Sequence, residues 1–309
     1  MARALNRGSI SLADIPGGLD FQATLESGQT YLWWREDGGC YDAPAPARGD
    51  AWYRTTARDP ATGDRGAIRA RQVDGHLEWE ATIDAEPVLR RRLRLHDDLP
   101  AIRAEAPLGD EMVDRAYDAY WGMRLVEEPV FPTLVTFICS AQMRVERIHE
   151  MQTSLRAAFG EPVDFRGATL RAYPTPAAIA ASSEERLREL GLGYRAPYVL
   201  ATAEMIAEGE ADPARARDLP YGDARAFLTR FVGVGEKVAD CVLLFGLDFL
   251  EAVPLDTWIR KAIAAFYPDC DRGNYAETSA AIRERVGGRY AGYAQTYLFH
   301  FLRHSDVDL

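Results

Sequence analysis

The stretch from Phe227 to Leu247 (FLTRFVGVGEKVADCVLLFGL) constrains the fold of this chain more than any other segment. Apolar residues recur at helical spacing at both of its ends, and Gly233-Val234-Gly235 separates the two ends. Glycine adopts positive φ angles without a Cβ penalty, so two glycines around one apolar residue allow a tight turn. The pattern predicts a helix, a glycine hairpin and a second helix that begins at Glu236.

The start of this second helix is a candidate anion site. The first-turn amides of a helix have no partner within the helix, and the helix dipole places positive charge there. A phosphate of a nucleic-acid backbone suits such a site. A glycine hairpin also occurs as an ordinary packed corner between two helices, so this motif alone leaves both interpretations open.

Lysine usage adds a second signal. The chain has two lysines, Lys237 and Lys261, and Lys237 lies in the first turn after the glycines. Asp256 follows Pro254 in AVPLDTW, where it is placed to cap the next helix. Taken singly, Lys237 is explained as a phosphate contact or a solvated charge, and Asp256 as a helix cap. Taken together, they supply an amine nucleophile and a carboxylate to one structural unit.

The chain divides into two parts of different pattern. Leu77, Trp79, Ala81 and Ile83 alternate with polar residues after Asp74-Gly75, which predicts a strand entered through a hairpin turn. Helical patterns dominate from about residue 110. We predict an α+β fold: an N-terminal antiparallel β-rich domain (1–109), then a mostly α-helical domain in two lobes (110–309), with the helix-hairpin-helix at about 222–249.

Further elements are predicted from alternation, turn residues and capping patterns. The expected strands are Leu19–Leu25, Thr30–Trp34, Ala51–Thr55 and Ala67–Val73, and the expected loops are Ala43–Gly49 and Arg58–Gly66. One long apolar segment is expected over Pro132–Phe159, and Thr175 and Ser182 are expected to cap helices.

Composition excludes several classes of protein. With 47% hydrophobic and 27% charged residues the chain is neither disordered nor fibrous, and no apolar run reaches membrane-spanning length. Met1–Gly18 lacks the apolar core of a secretory signal, so we expect a cytoplasmic protein. Four separated cysteines without a CxxC pair exclude a zinc knuckle and a cysteine-ligated iron–sulfur cluster. The net charge of −11 with two lysines is typical of a salt-rich cytosol.

The hairpin, Lys237 and the Val253–Asp256 segment together resemble the helix-hairpin-helix Gly/Pro-Asp signature of base-excision DNA glycosylases. In that superfamily the lysine marks the bifunctional glycosylase/lyase members. The chain is most similar to the 8-oxoguanine DNA glycosylases, through blocks in the family's order: Glu26–Tyr31, Phe137–Ser140, Leu190–Ala196, Gly233–Cys241, Val253–Asp256 and Tyr290–Gln295.

The resemblance implies a reaction on an everted base in duplex DNA. Lys237 would attack C1′ and displace 8-oxoguanine, Asp256 would stabilise the oxocarbenium-like sugar, and the resulting imine would permit strand cleavage by β-elimination. An amine attacks only when neutral, and the adjoining helix N-terminus disfavours the ammonium form. The reaction requires no cofactor and no catalytic metal. By analogy with the family, the hairpin carbonyls of Thr229, Phe231 and Val234 are a candidate site for a structural cation.

The resemblance also assigns the base-binding residues. The Gly28 carbonyl would face the protonated N7 of 8-oxoguanine, Gln295 would bind the Watson–Crick edge, and Cys241 and Phe299 would enclose the ring. Without the matching blocks, Gln295 is explained as a surface amide, Phe299 as core and Cys241 as a small buried apolar residue.

DNA-binding positions match as well: Gln142, Arg147, Tyr194 and Arg195 at the opposite-strand and wedge positions, and Gly233, Val234 and Gly235 at the phosphate. Gln142-Met143-Arg144 replaces the family's usual Asn-Asn run, so preference for cytosine opposite the lesion does not follow. Trp258 replaces a phosphate-binding histidine. The Arg90–Arg94 run is expected to be a solvated helix face balanced by Asp97 and Asp98 rather than a DNA contact.

We therefore expect a monomer that acts on double-stranded DNA containing 8-oxoguanine, associated with the nucleoid and without a membrane partner. Two alternatives stay open: a monofunctional glycosylase for alkylated bases, and a non-catalytic helix-hairpin-helix DNA-binding protein. The first has no need of Lys237, and the second has no need of Asp256, Gly28 or Gln295.

Overall fold

The computed structural model describes residues 4–41 and 50–307, so the predicted loop Ala43–Gly49 lies outside the described residues. The strands are Asn6–Ser11 (β1), Trp34–Arg35 (β2), Tyr53–Arg58 (β3), Arg65–Val73 (β4), His76–Ala81 (β5), Pro162–Phe165 (β6) and Ala168–Arg171 (β7). The helices are Phe21–Glu26 (α1), Ala85–Arg92 (α2), Leu99–Glu105 (α3), Glu111–Ala119 (α4), Val130–Cys139 (α5), Val145–Phe159 (α6), Pro176–Ala180 (α7), Glu184–Leu187 (α8), Ala196–Ala207 (α9), Tyr221–Leu228 (α10), Glu236–Gly246 (α11), Thr257–Phe266 (α12), Tyr275–Val286 (α13) and Ala291–His304 (α14).

An antiparallel sheet in the order β1-β5-β4-β3-β2 forms the N-terminal part, as predicted. The turn between β4 and β5 is the expected hairpin: Asp74 and Gly75 have φ angles of 49° and 75°. Two consecutive positive φ angles match the twist of the flanking strands. Trp79 on β5 pairs with Ala70 on β4 and with Gly8 on β1, so β5 has a neighbour on both sides.

The predicted strand Leu19–Leu25 is wrong, because this segment forms α1. The Asp20 carboxylate accepts a hydrogen bond from the Ala23 amide at 2.9 Å and so caps the helix. Every residue of α1 is buried, so the segment lacks a polar face that would reveal its helical period. The predicted strand Thr30–Trp34 is also largely wrong, since only Trp34 and Arg35 pair with β3.

The predicted single segment Pro132–Phe159 is two helices, α5 and α6, separated by residues 140–144. Within this break Gln142 has a φ angle of +52°, which ends helical geometry. Thr175 caps α7 as expected, with its hydroxyl accepting from the Ala178 amide at 3.1 Å. The cap predicted at Ser182 is one residue off, because Ser183 accepts the Arg186 amide at 3.2 Å.

Two apolar cores stabilise the molecule. The sheet core draws its buried residues from Ile10 to Leu95. The helical core begins at Leu99 and also takes in Ala23 and Tyr31 from the N-terminal part. The hairpin β6–β7, which the sequence did not indicate, packs against Ala67 on β4. The domain boundary at residue 109 stays a prediction.

The Arg90–Arg94 run is only partly the solvated face that we expected. Arg90 and Arg91 are exposed, whereas Arg92 and Arg94 are buried. Arg94 donates to Asp97 at 2.7 Å, so that carboxylate balances an internal charge rather than a surface patch. Of the helices in the described residues, none combines the length and apolarity that a membrane crossing requires.

Candidate active site

The hairpin between α10 and α11 has the predicted glycine geometry. Gly233 has a φ angle of +83°, and a Cβ there would lie 2.7 Å from Cβ of Tyr198, so a side chain would fit neither the backbone nor the space. Gly235 precedes α11, which begins at Glu236 as predicted, and a Cβ on Gly235 would meet open space. Thr202 on α9 donates to the Val232 carbonyl at 3.0 Å and holds the turn in place.

Lys237 lies in the first turn of α11, behind this hairpin. Its Nζ donates to Oγ of Ser140 at 3.0 Å and lies 5.4 Å from the centroid of the Phe137 ring. Ser140 and Phe137 both come from the C-terminal end of α5, so two packed helices set the position of the amine. The side chain is half-buried, and it lines a cavity of about 570 Å³.

Asp256 lies in the wall of the same cavity, at the start of α12. Its carboxylate accepts from the Ile259 amide at 2.8 Å, which confirms the predicted cap. Burial raises the pKa of Asp256 above its usual value, and the Ile259 amide and the charge of Lys237 partly offset that shift. The carboxylate therefore serves as a cap and also lines the same cavity as the Lys237 amine.

The residues assigned to base binding meet in this cavity, although they come from three distant parts of the chain. Gly28, Cys241, Gln295 and Phe299 all line it. Gly28 has a φ angle of +88°, and a Cβ there would lie 3.3 Å from Cε1 of Phe299. Gln295 is buried, and burial raises the pKa of the Cys241 thiol to about 12. The volume falls within the range of small-molecule sites.

The four predicted strand-contact residues lie together beside the cavity, and Gln142 is part of its lining. Tyr194 is exposed, and its hydroxyl donates to the Ala141 carbonyl at 3.3 Å. Arg195 is buried and donates to the same carbonyl, so its contact supports the loop that carries Gln142. Arg147 is exposed, and its guanidinium lies against Gly191.

Sequence reasoning missed several residues that shape this site. Phe137 and Phe245 stack at a centroid distance of 5.5 Å in the cavity wall. Gln29 donates to the Arg124 carbonyl at 2.8 Å and so fixes the loop that contains Gly28. Tyr198 and Val232 are exposed beside Tyr194 and the hairpin. Of these residues, only Phe137 and Gln29 lie in the blocks that resemble the family, so only they had a signal in the sequence. The exposure of Tyr198 and Val232 cannot be deduced from sequence spacing.

Within residues 4–41 and 50–307, no group of three or more His, Cys, Asp or Glu side chains could hold a metal ion. The structural cation on the hairpin carbonyls stays a prediction. One of those carbonyls, that of Phe231, accepts the Val234 amide at 3.1 Å.

Comparison with known proteins places this geometry in a family. Residues 135–287 match the model of the HhH-GPD superfamily base excision DNA repair protein. A probable N-glycosylase/DNA lyase of Methanothermobacter thermautotrophicus is 33% identical over 220 residues, which cover 65% of this chain and 70% of the relative. The N-glycosylase/DNA lyase of Saccharomyces cerevisiae is 30% identical, over 58% of this chain and 56% of the yeast protein.

One solved structure is similar to this chain along almost the whole length of both. The 8-oxoguanine glycosylase/lyase of Clostridium acetobutylicum, in complex with double-stranded DNA that contains cytosine opposite 8-oxoguanine, has a TM-score of 0.78 and 25% identity. The match covers 94% of each chain. This chain belongs to the helix-hairpin-helix Gly/Pro-Asp superfamily of base excision DNA repair proteins.

Proposed function

We propose that this protein is a bifunctional DNA glycosylase and AP lyase that excises 8-oxoguanine from duplex DNA. One observation carries the proposal: Lys237 and Asp256 line a single cavity together with Gly28, Cys241, Gln295 and Phe299. An everted purine placed there has an amine, a carboxylate and a close-approaching backbone around it. The relatives that are named N-glycosylase/DNA lyase support the same activity.

In the proposed reaction the neutral Lys237 Nζ forms a bond to C1′ of the everted nucleotide. The glycosidic bond breaks, and its electron pair leaves with the oxidised base, which is protonated on release. Asp256 stabilises the positive charge that develops on the sugar and accepts a proton from the amine. The lone pair of the bound amine then expels O4′, which takes a proton as the sugar ring opens, and a protonated imine forms at C1′. The imine acidifies the C2′ position, and loss of a C2′ proton expels the 3′ phosphate.

The proposed DNA surface is the face that carries the hairpin. Outward-facing amides at the start of α11 would bind a phosphate without any basic side chain, which suits a chain of net charge −11. Gln142, Arg147 and Tyr194 would occupy the gap left by the everted base, with Arg195 holding their loop. The exposed side chains of Tyr198 and Val232 extend this surface.

The test uses three duplexes that differ in one base: 8-oxoguanine, guanine or 3-methyladenine. We expect base release and strand nicking with 8-oxoguanine, and little reaction with the other two. Base release without nicking would favour the monofunctional alternative. Binding without release from any duplex would favour the non-catalytic alternative.

We further propose that the enzyme works as a monomer on the nucleoid of a salt-rich cytosol. The acidic, lysine-poor composition supports the salt-rich setting, because salt screens the self-repulsion of a strongly charged chain. Stability and activity should both rise between low and molar salt. A protein that is most stable and most active at low ionic strength would contradict the salt proposal.

A further inference from the structure

A second cavity, as large as the first, lies between the sheet and the helical core. Its volume is about 560 Å³, and its walls include Ala57 on β3, Val88 on α2 and Tyr173. The start of α5 and the end of α11 form part of its wall. The other ends of the same two helices carry Phe137 and Lys237, which line the first cavity. The rise of α11 from Lys237 to Gly246 is about 14 Å, so the two cavities are distinct.

The charge of this second cavity is opposite to that of the whole molecule. Six arginines and three carboxylates line it, in a chain whose net charge is −11. Two of the carboxylates are already engaged. Glu127 pairs with Arg91 at 2.6 Å and with Arg217 at 3.3 Å, and Glu128 pairs with Arg92 at 3.5 Å and accepts from Thr30 and Trp33. A third ion pair joins Arg65 to Glu161, outside the lining, at 2.9 Å. Six arginines thus face four carboxylates, and positive charge is left over.

Arg156 on α6 is the buried part of that excess. Its side chain lines the cavity and is 2% exposed, and neither Nε nor Nη1 has a hydrogen-bond partner among the described residues. The rings of Trp34 and Tyr173 lie 3.7 Å and 5.4 Å from the guanidinium carbon. Aromatic rings satisfy the faces of a guanidinium, whereas its edge donates to oxyanions.

A buried arginine with unpaired edge donors is costly to the folded state. Desolvation lowers the pKa of Arg156 to about 9, which reports how poorly its surroundings compensate the charge. A bound oxyanion would supply the missing acceptor. The remaining wall is largely apolar, with Leu32, Val130 and Pro132, and would accommodate an apolar body.

We propose that this cavity binds a small organic anion, whose carboxylate or phosphate group pairs with Arg156 while an apolar body fills the rest. The site lies outside the machinery proposed for base excision and does not depend on that function. Its ligand is a free small molecule of this class rather than the DNA backbone, because the proposed DNA surface lies at the other end of α5 and α11.

Calorimetric titration of the full chain with three matched probes tests the proposal: phenyl phosphate, phenylacetate and the neutral phenylacetamide. We expect at least one anion to bind with a dissociation constant below about 1 mM, and the amide to bind at least about tenfold more weakly. The tighter anion identifies the head group as a phosphate ester or a carboxylate. Equal binding of the amide, or no binding of either anion at about 10 mM, would overturn the proposal.

Three variants assign the binding to this cavity. Arg156→Met should weaken the anion at least about tenfold and should still fold, since it removes a desolvated charge. Arg90→Met, at an exposed arginine outside the cavity, and Lys237→Gln, in the other cavity, should bind as the wild type does. A crystal soaked with phenyl phosphate locates the probe without any variant. Unchanged binding by Arg156→Met, or the probe beside Lys237, would contradict the assignment.

Discussion

At the scale of single residues, Asp256 combines two tasks that one substitution separates. Asparagine keeps a side-chain oxygen for the Ile259 amide, so Asp256→Asn retains the cap of α12. It loses the negative charge that faces Lys237. We expect single-turnover excision to fall by about 10²–10⁴-fold. A variant that excises at the wild-type rate would remove Asp256 from the mechanism.

Asp256→Asn should lower activity but should not lower the free energy of unfolding at neutral pH. Because burial raises the folded-state pKa of Asp256 above its usual 3.8, this group stabilises the fold at low pH, and that contribution is lost as the pH rises through the raised pKa. The ionised form therefore costs stability at pH 7. Urea unfolding at pH 7 should show Asp256→Asn to be at least as stable as the wild type, while the acid limb of its excision profile disappears.

We predict that position 28 requires glycine for two reasons: its positive φ angle, and the lack of space for a side chain next to Phe299 in the cavity. Gly28→Ala places a methyl group 3.3 Å from Phe299 at a φ angle of +88°. Gly38 is a matched control, because it has a φ angle of +83° and an added Cβ there meets no atom within 4 Å. Both variants should lose roughly 1–2 kcal/mol of stability through backbone strain. Only Gly28→Ala should lose excision of 8-oxoguanine, measured as kcat/KM; equal losses would contradict the close-approach role.

At the scale of elements, a buried carboxylate on α11 ties the hairpin to its neighbours. Asp240 accepts from Tyr221 on α10 and from Tyr275 on α13, each at 2.7 Å. Burial nevertheless raises its pKa to about 6, with the two hydroxyls and Arg225 only partly offsetting the desolvation. The neutral carboxyl therefore stabilises the fold fully below the unfolded-state pKa of 3.8, and this contribution is lost as the pH rises from there through about 6.

Asp240→Asn, which cannot ionise, should remove this pH dependence. Between pH 5 and 8 the free energy of unfolding of the wild type should fall by about 1–2 kcal/mol more than that of the variant. Denaturant unfolding of both proteins at each pH isolates Asp240 from the other groups that titrate in this range. Parallel pH profiles would show that Asp240 does not titrate there.

The elements that sequence reasoning predicted well are those whose signals are local. Thr175 and Asp256 cap their helices because a side-chain oxygen and the amides it accepts lie within three residues. The segment Leu19–Leu25 was mistaken for a strand because α1 is buried on all sides. Beside the break at Gln142, the Tyr194 hydroxyl donates to the Ala141 carbonyl, a contact across 53 residues that no local pattern encodes.

The residues of the candidate site were predicted partly from their position along the chain and partly from the resemblance to a family. Position along the chain paired Lys237 with Asp256, because Lys237 directly follows the hairpin and only α11 and a short segment separate it from Asp256. Gly28 and Gln295 come from opposite ends of the chain and meet only through tertiary packing, so resemblance to a family was needed to assign them. The second cavity had no sequence signal at all, since Arg156 is one of many arginines until its burial is known.

At the scale of the whole molecule, one buried arginine joins the N-terminal part to the helical core. Arg124 is fully buried and donates to the carbonyls of Pro16, Gly18, Arg94 and Asp97 at 2.6–3.0 Å. Arg124→Met would leave these acceptors unpaired. We expect a loss of about 3–5 kcal/mol in urea unfolding.

The control for this prediction is Arg186→Met, at an exposed arginine on α8 that forms a surface ion pair with Glu189. That variant should unfold within about 0.5 kcal/mol of the wild type. If the two substitutions cost the same, Arg124 does not hold the two parts together. Because Gly28 belongs to the N-terminal part, the loss at Arg124 should also lower excision at temperatures where the control stays active.

The central claim is that the amine of Lys237 forms the covalent bond to the sugar, and mapping the trapped adduct tests it most directly. The chain offers its own control, since Lys261 is the other lysine and lies exposed on α12. After borohydride reduction on an 8-oxoguanine duplex, mass spectrometry should find the sugar remnant on the peptide with Lys237. Lys237→Gln should give no adduct, and Lys261→Gln should give the wild-type yield. An adduct on Lys261 or on the terminal amine, or trapping by Lys237→Gln at the normal rate, would contradict the account.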